Sequence, residues 1–327
     1  MIPSHVARVA VTSLFMVWIA AFALNAKAQT WPGQTIKIIV PFTPGTGMDT
    51  IARTISPKLS ERLGQSVVVQ NTPGASGNIG ADNVAKATPD GYTLLMSANT
   101  MLMALQLYKN VSFNPVEDFS PVSMAAFGTL MLVANPKTGI KSIQELIAQA
   151  KAKPGFMTYG SPGIGTPHHM AMELFKTKTQ LFVLHVPYRG TAGYVTDLLG
   201  GELMVGFLPV HVAQGFVNSG KLTALAVGSN TRHPVAPTVA TFEELGVKDV
   251  NVDVWYAFFA PSKTPAPVVS RLNTEITAIL KMPEIRTVLS KAGLDAASST
   301  TSELTATVKQ DYQRWGAVIK RNGITAE

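Results

Sequence analysis

Two glycine-rich loops that carry hydroxyl side chains are the clearest candidates for a binding site in this sequence. The first spans residues 42–49 (FTPGTGMD) and the second spans residues 161–168 (SPGIGTPH). Each follows a strand pattern and opens a helix pattern, so the free N–H groups and the positive end of the helix dipole should converge on one spot. The glycines let a ligand approach the backbone closely, and the hydroxyls can donate hydrogen bonds. Such loops are typical of sites for a carboxylate or a phosphate.

The first loop does not match a nucleotide site. Its Gly45 and Gly47 lack the third glycine of a dinucleotide-binding loop, and no Gly-Lys-Ser/Thr follows. Asp49 is predicted to cap the helix that comes after the loop, as aspartate often does. Contact between Asp49 and a ligand is the alternative.

Three further groups of residues are candidates for catalysis, metal binding and anion binding. His169 and Glu173 have helical i,i+4 spacing, but His168 points about 100° away and no third ligand is evident, so zinc is not expected. Residues 160–163 (GSPG) do not form the Gly-x-Ser-x-Gly elbow of a hydrolase. Arg189 is either an anion-binding group or a solvated loop arginine.

The composition restricts the class of protein and its compartment. The chain has 327 residues and no cysteine, which excludes disulfide scaffolds and thiolate chemistry. Its net charge of +7 is spread without a basic stripe, so nucleic-acid binding is not expected. Residues 1–28 contain Arg8, an uncharged apolar run and a small-x-small site at residues 26–28, and they predict a cleavable signal peptide and a periplasmic protein.

The two loops are predicted to lie on two separate α/β lobes. Short β-branched runs alternate with amphipathic stretches, for example a strand at 35–40 followed by a helix at 50–63, which predicts α/β architecture with mostly parallel sheets. Apolar strands at 130–134 and 254–260 are predicted to cross between the lobes. Three helices are predicted near the C-terminus, at 267–280, 284–292 and 302–322. Lobe 1 is predicted to comprise residues 29–129 and 255–327, and lobe 2 residues 130–254.

Several motifs resemble those of the Bug receptors, the extracytoplasmic binding proteins of tripartite tricarboxylate transporters. The resemblance lies in residues 39–49, 73–80, 89–94, 143–146, 160–168, 185–190, 197–201 and 220–227, and it extends through Trp255, residues 260–261 and residues 271–273. It implies a type II periplasmic-binding-protein fold, in which two lobes are joined by two crossover strands around a ligand cleft. It also implies a receptor without catalytic machinery, metal or cofactor.

The resemblance and the loops together define the predicted ligand site. The predicted contacts are Phe42, Thr43, Thr46, Gly47, Met48, Asp49, Asn99, Ser161, Gly163, Gly165, Thr166, His168, Tyr188 and Arg189. The predicted ligand is a small organic carboxylate, and the apolar and aromatic walls favour an aromatic or dicarboxylic acid over citrate.

The resemblance also implies partners for the receptor. The integral membrane subunits of a transporter are expected to receive the ligand, and the receptor itself is expected to be a monomer. The alternatives are a sensor receptor that feeds a signalling system and a secreted hydrolase that uses His168, His169 and Glu173.

Overall fold

The computed structural model describes residues 31–250 and 254–326, so the predicted signal peptide (1–28) lies outside the described residues. No helix within these two ranges is long and apolar enough to cross a membrane. The strands are β1 (Ile36–Val40), β2 (Val67–Asn71), β3 (Thr93–Ala98), β4 (Phe119–Gly128), β5 (Leu130–Ala134), β6 (Thr158–Ser161), β7 (Leu184–Pro187), β8 (Val205–Pro209), β9 (Thr223–Val227), β10 (Val254–Pro261) and β11 (Leu294–Ala296). The α-helices are α1 (Gly47–Leu63), α2 (Asn78–Ala85), α3 (Ala104–Leu107), α4 (Ile143–Ala152), α5 (Pro167–Thr179), α6 (Thr191–Gly200), α7 (Val210–Asn218), α8 (Ala266–Leu280), α9 (Pro283–Lys291) and α10 (Thr301–Arg321).

The strands form two sheets with related topology. The first has the order β11-β4-β10-β3-β1-β2, and the second has the order β7-β6-β8-β5-β9. In each sheet three neighbouring strands are parallel, and one antiparallel strand, β10 or β5, joins them to the rest. The α/β prediction is therefore confirmed. Parallel strands each followed by a helix place the helix N-termini together at the carboxyl edge of the sheet.

The chain passes between the sheets twice. It leaves the first sheet at Thr129, between β4 and β5, and returns between β9 and β10. We call the first sheet with α1–α3 and α8–α10 the first-sheet unit, and the second sheet with α4–α7 the second-sheet unit. The lobe boundaries at residues 129/130 and 254/255 remain a prediction.

Helix α1 shows how the sequence positions the first loop. Ile51, Ile55 and Leu59 recur at helical spacing and are fully buried, so this face of the helix packs into the core. The Thr46 side chain accepts the N–H of Asp49 and is the N-cap, and Gly64 ends the helix at φ 67°. The helix therefore starts at residue 47, and the prediction that Asp49 is its cap is wrong.

The predicted C-terminal helices agree with α8, α9 and α10 to within one residue at each end. A capping box between Thr300 and Glu303 starts α10. Strands β4 and β11 were not predicted. Pro121 and two serines interrupt the apolar pattern of β4, which the structure accommodates with register shifts opposite β10.

Candidate functional site

A small cavity lies between the two units, at the carboxyl ends of their parallel strands. Its volume is about 50 Å³. It is lined by Phe42, Gly45, Thr46, Gly47, Met48, Ala98, Thr100, Pro162, Thr166, Pro167, His168, Thr191, Pro209, His211, Val212, Val254 and Tyr256. The two predicted loops therefore meet at one cavity, although they are more than 100 residues apart in sequence.

Four helices begin at this cavity: α1, α5, α6 and α7. The N-cap positions of α5, α6 and α7 make no side-chain hydrogen bond to the first turn. Their first-turn N–H groups are available to an anion, apart from Pro167, which has no N–H, and Val210, whose N–H donates to the Thr129 carbonyl (3.0 Å). On α1 the oxygen of Thr46 already accepts a hydrogen bond from Asp49, so its hydroxyl proton can be donated to a ligand.

The walls of the cavity are neutral. Among the described residues that line it there is no aspartate, glutamate, lysine or arginine. The polar side chains are threonines, two histidines and Tyr256, and the remainder are apolar. The charge of a bound anion would therefore be balanced by backbone N–H groups and helix dipoles rather than by a cationic side chain.

Asp49 is turned away from the cavity. Its carboxylate accepts hydrogen bonds from the Gly45 N–H (3.0 Å), Arg53 Nε (3.0 Å) and Asn71 Nδ2 (3.0 Å). Burial pushes the pKa of this carboxyl upward, but the bonds from Arg53, Gly45 and Asn71 outweigh burial, so the pKa is lowered. Asp49 thus ties the first loop to β2 and stays ionised at neutral pH.

Ser161 and Gly165 are not among the cavity-lining residues, and they hold the second loop in place through hydrogen bonds. The Ser161 hydroxyl lies 2.7 Å from His185 Nε2 and 3.0 Å from the Gly163 carbonyl. The Gly165 N–H donates to His169 Nδ1 (3.1 Å). The rings of His169 and His185 stack with centroids 4.2 Å apart, which joins the contacts of Ser161 and Gly165 into one cluster.

Four of the other predicted residues line a second space, a groove at the mouth of the cavity. This outer groove has a volume of about 720 Å³, and its lining includes Thr43, Gly163, Tyr188 and Arg189. Phe42 lines both spaces. The Tyr188 hydroxyl donates to Asp197, and burial together with this bond raises the pKa of Tyr188 to about 12. Asn99 is buried between Ala98 and Thr100, and those two neighbours line the cavity.

The two units touch across the mouth. The Tyr108 hydroxyl donates to the Ile164 carbonyl (3.0 Å) on the opposite unit and lies 2.8 Å from Ser76 Oγ. Gly190 faces Thr43, and a Cβ at position 190 would lie 2.7 Å from Thr43 Oγ1. The structure is thus a closed form in which side chains of one unit contact backbone of the other.

Several residues that line the cavity were not predicted from the sequence, because they lie outside the two glycine-rich loops. Thr191 and His211 follow β7 and β8, and the rule that strand ends carry site residues would have found them. Tyr256 lies within β10, and Gly47 leaves room for it: a Cβ on Gly47 would lie 2.8 Å from the Tyr256 hydroxyl oxygen. No local signal marks Tyr256, because its position depends on the pairing of β10 with β3.

We expect the buried histidines to make the fold sensitive to acid. Burial lowers the pKa of His168, His169 and His185 to about 3, so the folded protein keeps these rings neutral. Below pH 6.5 the unfolded chain takes up protons that the folded chain does not, so stability falls as the pH drops towards 3. The loss is up to about 1.4 kcal/mol per histidine per pH unit. Urea unfolding at pH 7, 6 and 5 measures it.

A His185→Gln variant provides the control for this pH dependence. It removes one titrating ring, so its stability should fall less steeply between pH 6.5 and 5 than that of the unaltered protein. Equal slopes would show that His185 does not contribute to the acid sensitivity.

Comparison with known proteins places the chain in a family. The sequence pattern of the tripartite tricarboxylate transporter family receptors matches residues 51–324. BugT of Bordetella pertussis is 35% identical over 306 residues, which cover 93% of this chain and 94% of BugT.

Solved structures agree with this placement. The periplasmic binding protein BugD superposes with a TM-score of 0.84 at 30% identity, over 90% of this chain and 99% of BugD. A protein of R. palustris solved with adipate gives a TM-score of 0.85 at 32% identity, over 90% of this chain and 99% of that one. These likenesses confirm the predicted periplasmic-binding-protein fold.

Receptors of this family are periplasmic and bind solutes without transforming them, so the prediction that the chain is not an enzyme is confirmed. The family pattern covers most of the sequence, and the predicted resemblance is confirmed by both kinds of comparison. The chain therefore belongs to the receptor family of the tripartite tricarboxylate transporters, the Bug receptors.

Proposed function

We propose that this protein is a periplasmic receptor that captures a small organic carboxylate and delivers it to the membrane subunits of a tripartite transporter. One observation carries the proposal: several helix N-termini with free N–H groups meet at a neutral cavity between two units. Such a cavity stabilises an anion without a cationic partner. The adipate bound to the R. palustris relative shows that a receptor of closely similar structure takes a carboxylate.

Within this proposal, a ligand carboxylate lies against the starts of α1 and α5. Gly47, Met48 and His168 offer backbone N–H groups there, and Thr46 donates its hydroxyl. Asp49, Ser161 and Gly165 act by holding the loops in place. The body of the ligand, an aromatic or dicarboxylic acid, lies between Phe42, Met48 and the opposite wall.

The remaining parts of the proposal concern export and assembly. Residues 1–28 serve as the cleavable signal peptide, which directs the receptor to the periplasm. The mature receptor acts as a monomer. Its two units, with the boundaries predicted from the sequence, close around the ligand because contacts with both units favour the closed form.

A calorimetric screen of mono-, di- and tricarboxylates and aromatic acids tests the proposal. We expect at least one acid to bind, and we expect Thr46→Val to weaken its binding about 10-fold, the effect of one hydrogen bond to a charged group. Thr46→Val also removes the N-cap of α1. Ser142→Ala is the matched control, because Ser142 caps α4 in the same way but does not line the cavity.

The control separates lost stability from lost ligand contact. Both variants should be less stable than the unaltered protein, and only Thr46→Val should bind the acid more weakly. If no acid binds, the proposed function is wrong; if Thr46→Val and Ser142→Ala bind equally well, the placement of the carboxylate is wrong.

A further inference from the structure

Tyr256, which lines the cavity, has a hydroxyl group without a hydrogen-bond partner among the described residues. The residue as a whole is only 6% exposed. Its hydroxyl oxygen nevertheless keeps accessible surface, unlike the ring nitrogens of His168, which are fully enclosed. A polar atom that the protein leaves unpaired but open to a cavity is suited to a hydrogen bond with a bound molecule.

The neighbours of Tyr256 direct its ring to the start of α1. On β10 it pairs with Ala98 of β3 and Ala126 of β4, and these small side chains leave room for the ring. One edge of the ring faces Gly47, where a Cβ would lie 2.8 Å from the hydroxyl oxygen. The other edge faces Gly128, where a Cβ would lie 3.2 Å from Cε2. The ring is therefore confined between two glycines, and its hydroxyl has a defined position beside the first residue of α1.

The start of α1 offers N–H groups at the same place. The N–H groups of Asp49 and Thr50 are bonded to Thr46, whereas those of Gly47 and Met48 have no partner in the described part of the chain. A carboxylate that accepts hydrogen bonds from these two N–H groups has further lone pairs.

The phenol can fill one of these remaining acceptor positions. Burial raises the pKa of Tyr256, so its hydroxyl keeps its proton at neutral pH and can donate it. The phenol is uncharged, as are the N–H groups beside it. A hydrogen bond from a neutral donor to an ionised acceptor is stronger than one between two neutral groups.

We propose that Tyr256 is a ligand-binding residue whose hydroxyl donates a hydrogen bond to the ligand carboxylate at the start of α1. The inference rests on the proposed function, because it assumes that a carboxylate lies there. It adds a contact from β10 to those from the first loop. A position that sequence analysis did not assign to the site thereby becomes one of its donors.

A Tyr256→Phe variant of the mature receptor tests the inference, since it removes the hydroxyl and keeps the ring. The probes are benzoate, terephthalate, adipate, malate and citrate, each measured by calorimetry at pH 7. Any of these acids that binds the unaltered receptor should bind Tyr256→Phe about 10-fold more weakly, the effect of one hydrogen bond to a charged group.

A Tyr92→Phe variant is the matched control. Tyr92 belongs to the same unit, and its hydroxyl accepts the N–H of Gly33 (2.8 Å). It directly precedes β3, at the end of the sheet opposite to the cavity, and it does not line the cavity. Tyr92→Phe should therefore bind each acid as tightly as the unaltered receptor.

Stability without ligand distinguishes a binding role from a structural one. Because the Tyr256 hydroxyl has no partner among the described residues, its removal deprives the folded protein of no hydrogen bond. We expect the midpoint of urea unfolding of Tyr256→Phe to equal or exceed that of the unaltered receptor. The same measurement shows that the variant is folded.

The outcomes separate this inference from the proposed function. If none of the five acids binds the unaltered receptor, the proposed function fails and the inference fails with it. If an acid binds the unaltered receptor and Tyr256→Phe equally well, carboxylate binding stands and the role of Tyr256 is overturned. A lower unfolding midpoint for Tyr256→Phe would also overturn it, because the hydroxyl would then stabilise the protein itself.

Discussion

A Gly190→Ala variant is expected to bind its carboxylate about 100-fold more weakly than the unaltered receptor. The added Cβ would lie 2.7 Å from Thr43 Oγ1 on the opposite unit, closer than real Cβ contacts come. The closed form is then disfavoured, and the ligand loses hydrogen bonds offered by one of the units. Two hydrogen bonds to a charged group contribute about 3 kcal/mol or more, which corresponds to this loss.

A double variant distinguishes blocked closure from local strain. Gly190 has φ 146°, so alanine there is strained whatever lies opposite. In Thr43→Ala/Gly190→Ala the facing hydroxyl is absent, and binding should recover most of the lost affinity if the clash is the cause. Thr43→Ala alone gives the reference. Small-angle scattering with saturating ligand should show a smaller radius of gyration for the double variant than for Gly190→Ala; equal values would contradict blocked closure.

Replacing Asp49 by alanine is expected to lower the free energy of unfolding by about 3 kcal/mol. The substitution leaves the Gly45 N–H and the Asn71 amide without their charged acceptor, and both groups are partly buried. The first loop then keeps only the bond from Asn71 Nδ2 to the Phe42 carbonyl (3.0 Å) as its side-chain tie to β2, so ligand affinity should fall as well, although Asp49 does not line the cavity. Urea denaturation measures the first effect and calorimetry the second.

Two companion variants show which bonds of Asp49 matter. Asp49→Asn keeps an oxygen acceptor and should be less destabilising than Asp49→Ala. Arg53→Ala should cost about 1 kcal/mol or less, because the Arg53 side chain is 53% exposed and its ion pair is solvated. If Arg53→Ala is as destabilising as Asp49→Ala, the ion pair and not the loop contacts stabilises this region.

The elements that the sequence predicts well are those with local signals. Helix α1 has buried apolar residues at helical spacing and ends at a glycine with φ 67°, and both signals lie within about twenty residues. The two glycine-rich loops were predicted for the same reason, since each contains its own turn residues and helix start. Strand β4 lacked such a signal, because its pairing with β10 compensates for Pro121 and the polar residues beside it.

The sequence predicted those cavity-lining residues that lie within a recognisable loop motif, and not those that reach the cavity from elsewhere in the chain. Thr46, Met48 and Thr166 line the cavity, as expected from their loops. Asp49 was assigned from its place in the sequence, but the nearby Asn71 and Arg53 draw its carboxylate away from the cavity. Tyr256 lies on β10, the strand by which the chain re-enters the first sheet after the second-sheet unit. A single sequence contains no pattern that predicts its contact with the first loop.

The proposed use of backbone N–H groups at the starts of α1 and α5 has a consequence for how such receptors diversify. Every residue except proline has a backbone N–H, so a mutation to any other residue does not remove these groups. The rest of the cavity wall consists of side chains, among them Val212, Pro209 and the two histidines. After gene duplication, one copy can therefore change which acid it selects by point mutations in the wall, while it keeps the capacity to hold a carboxylate at every intermediate step.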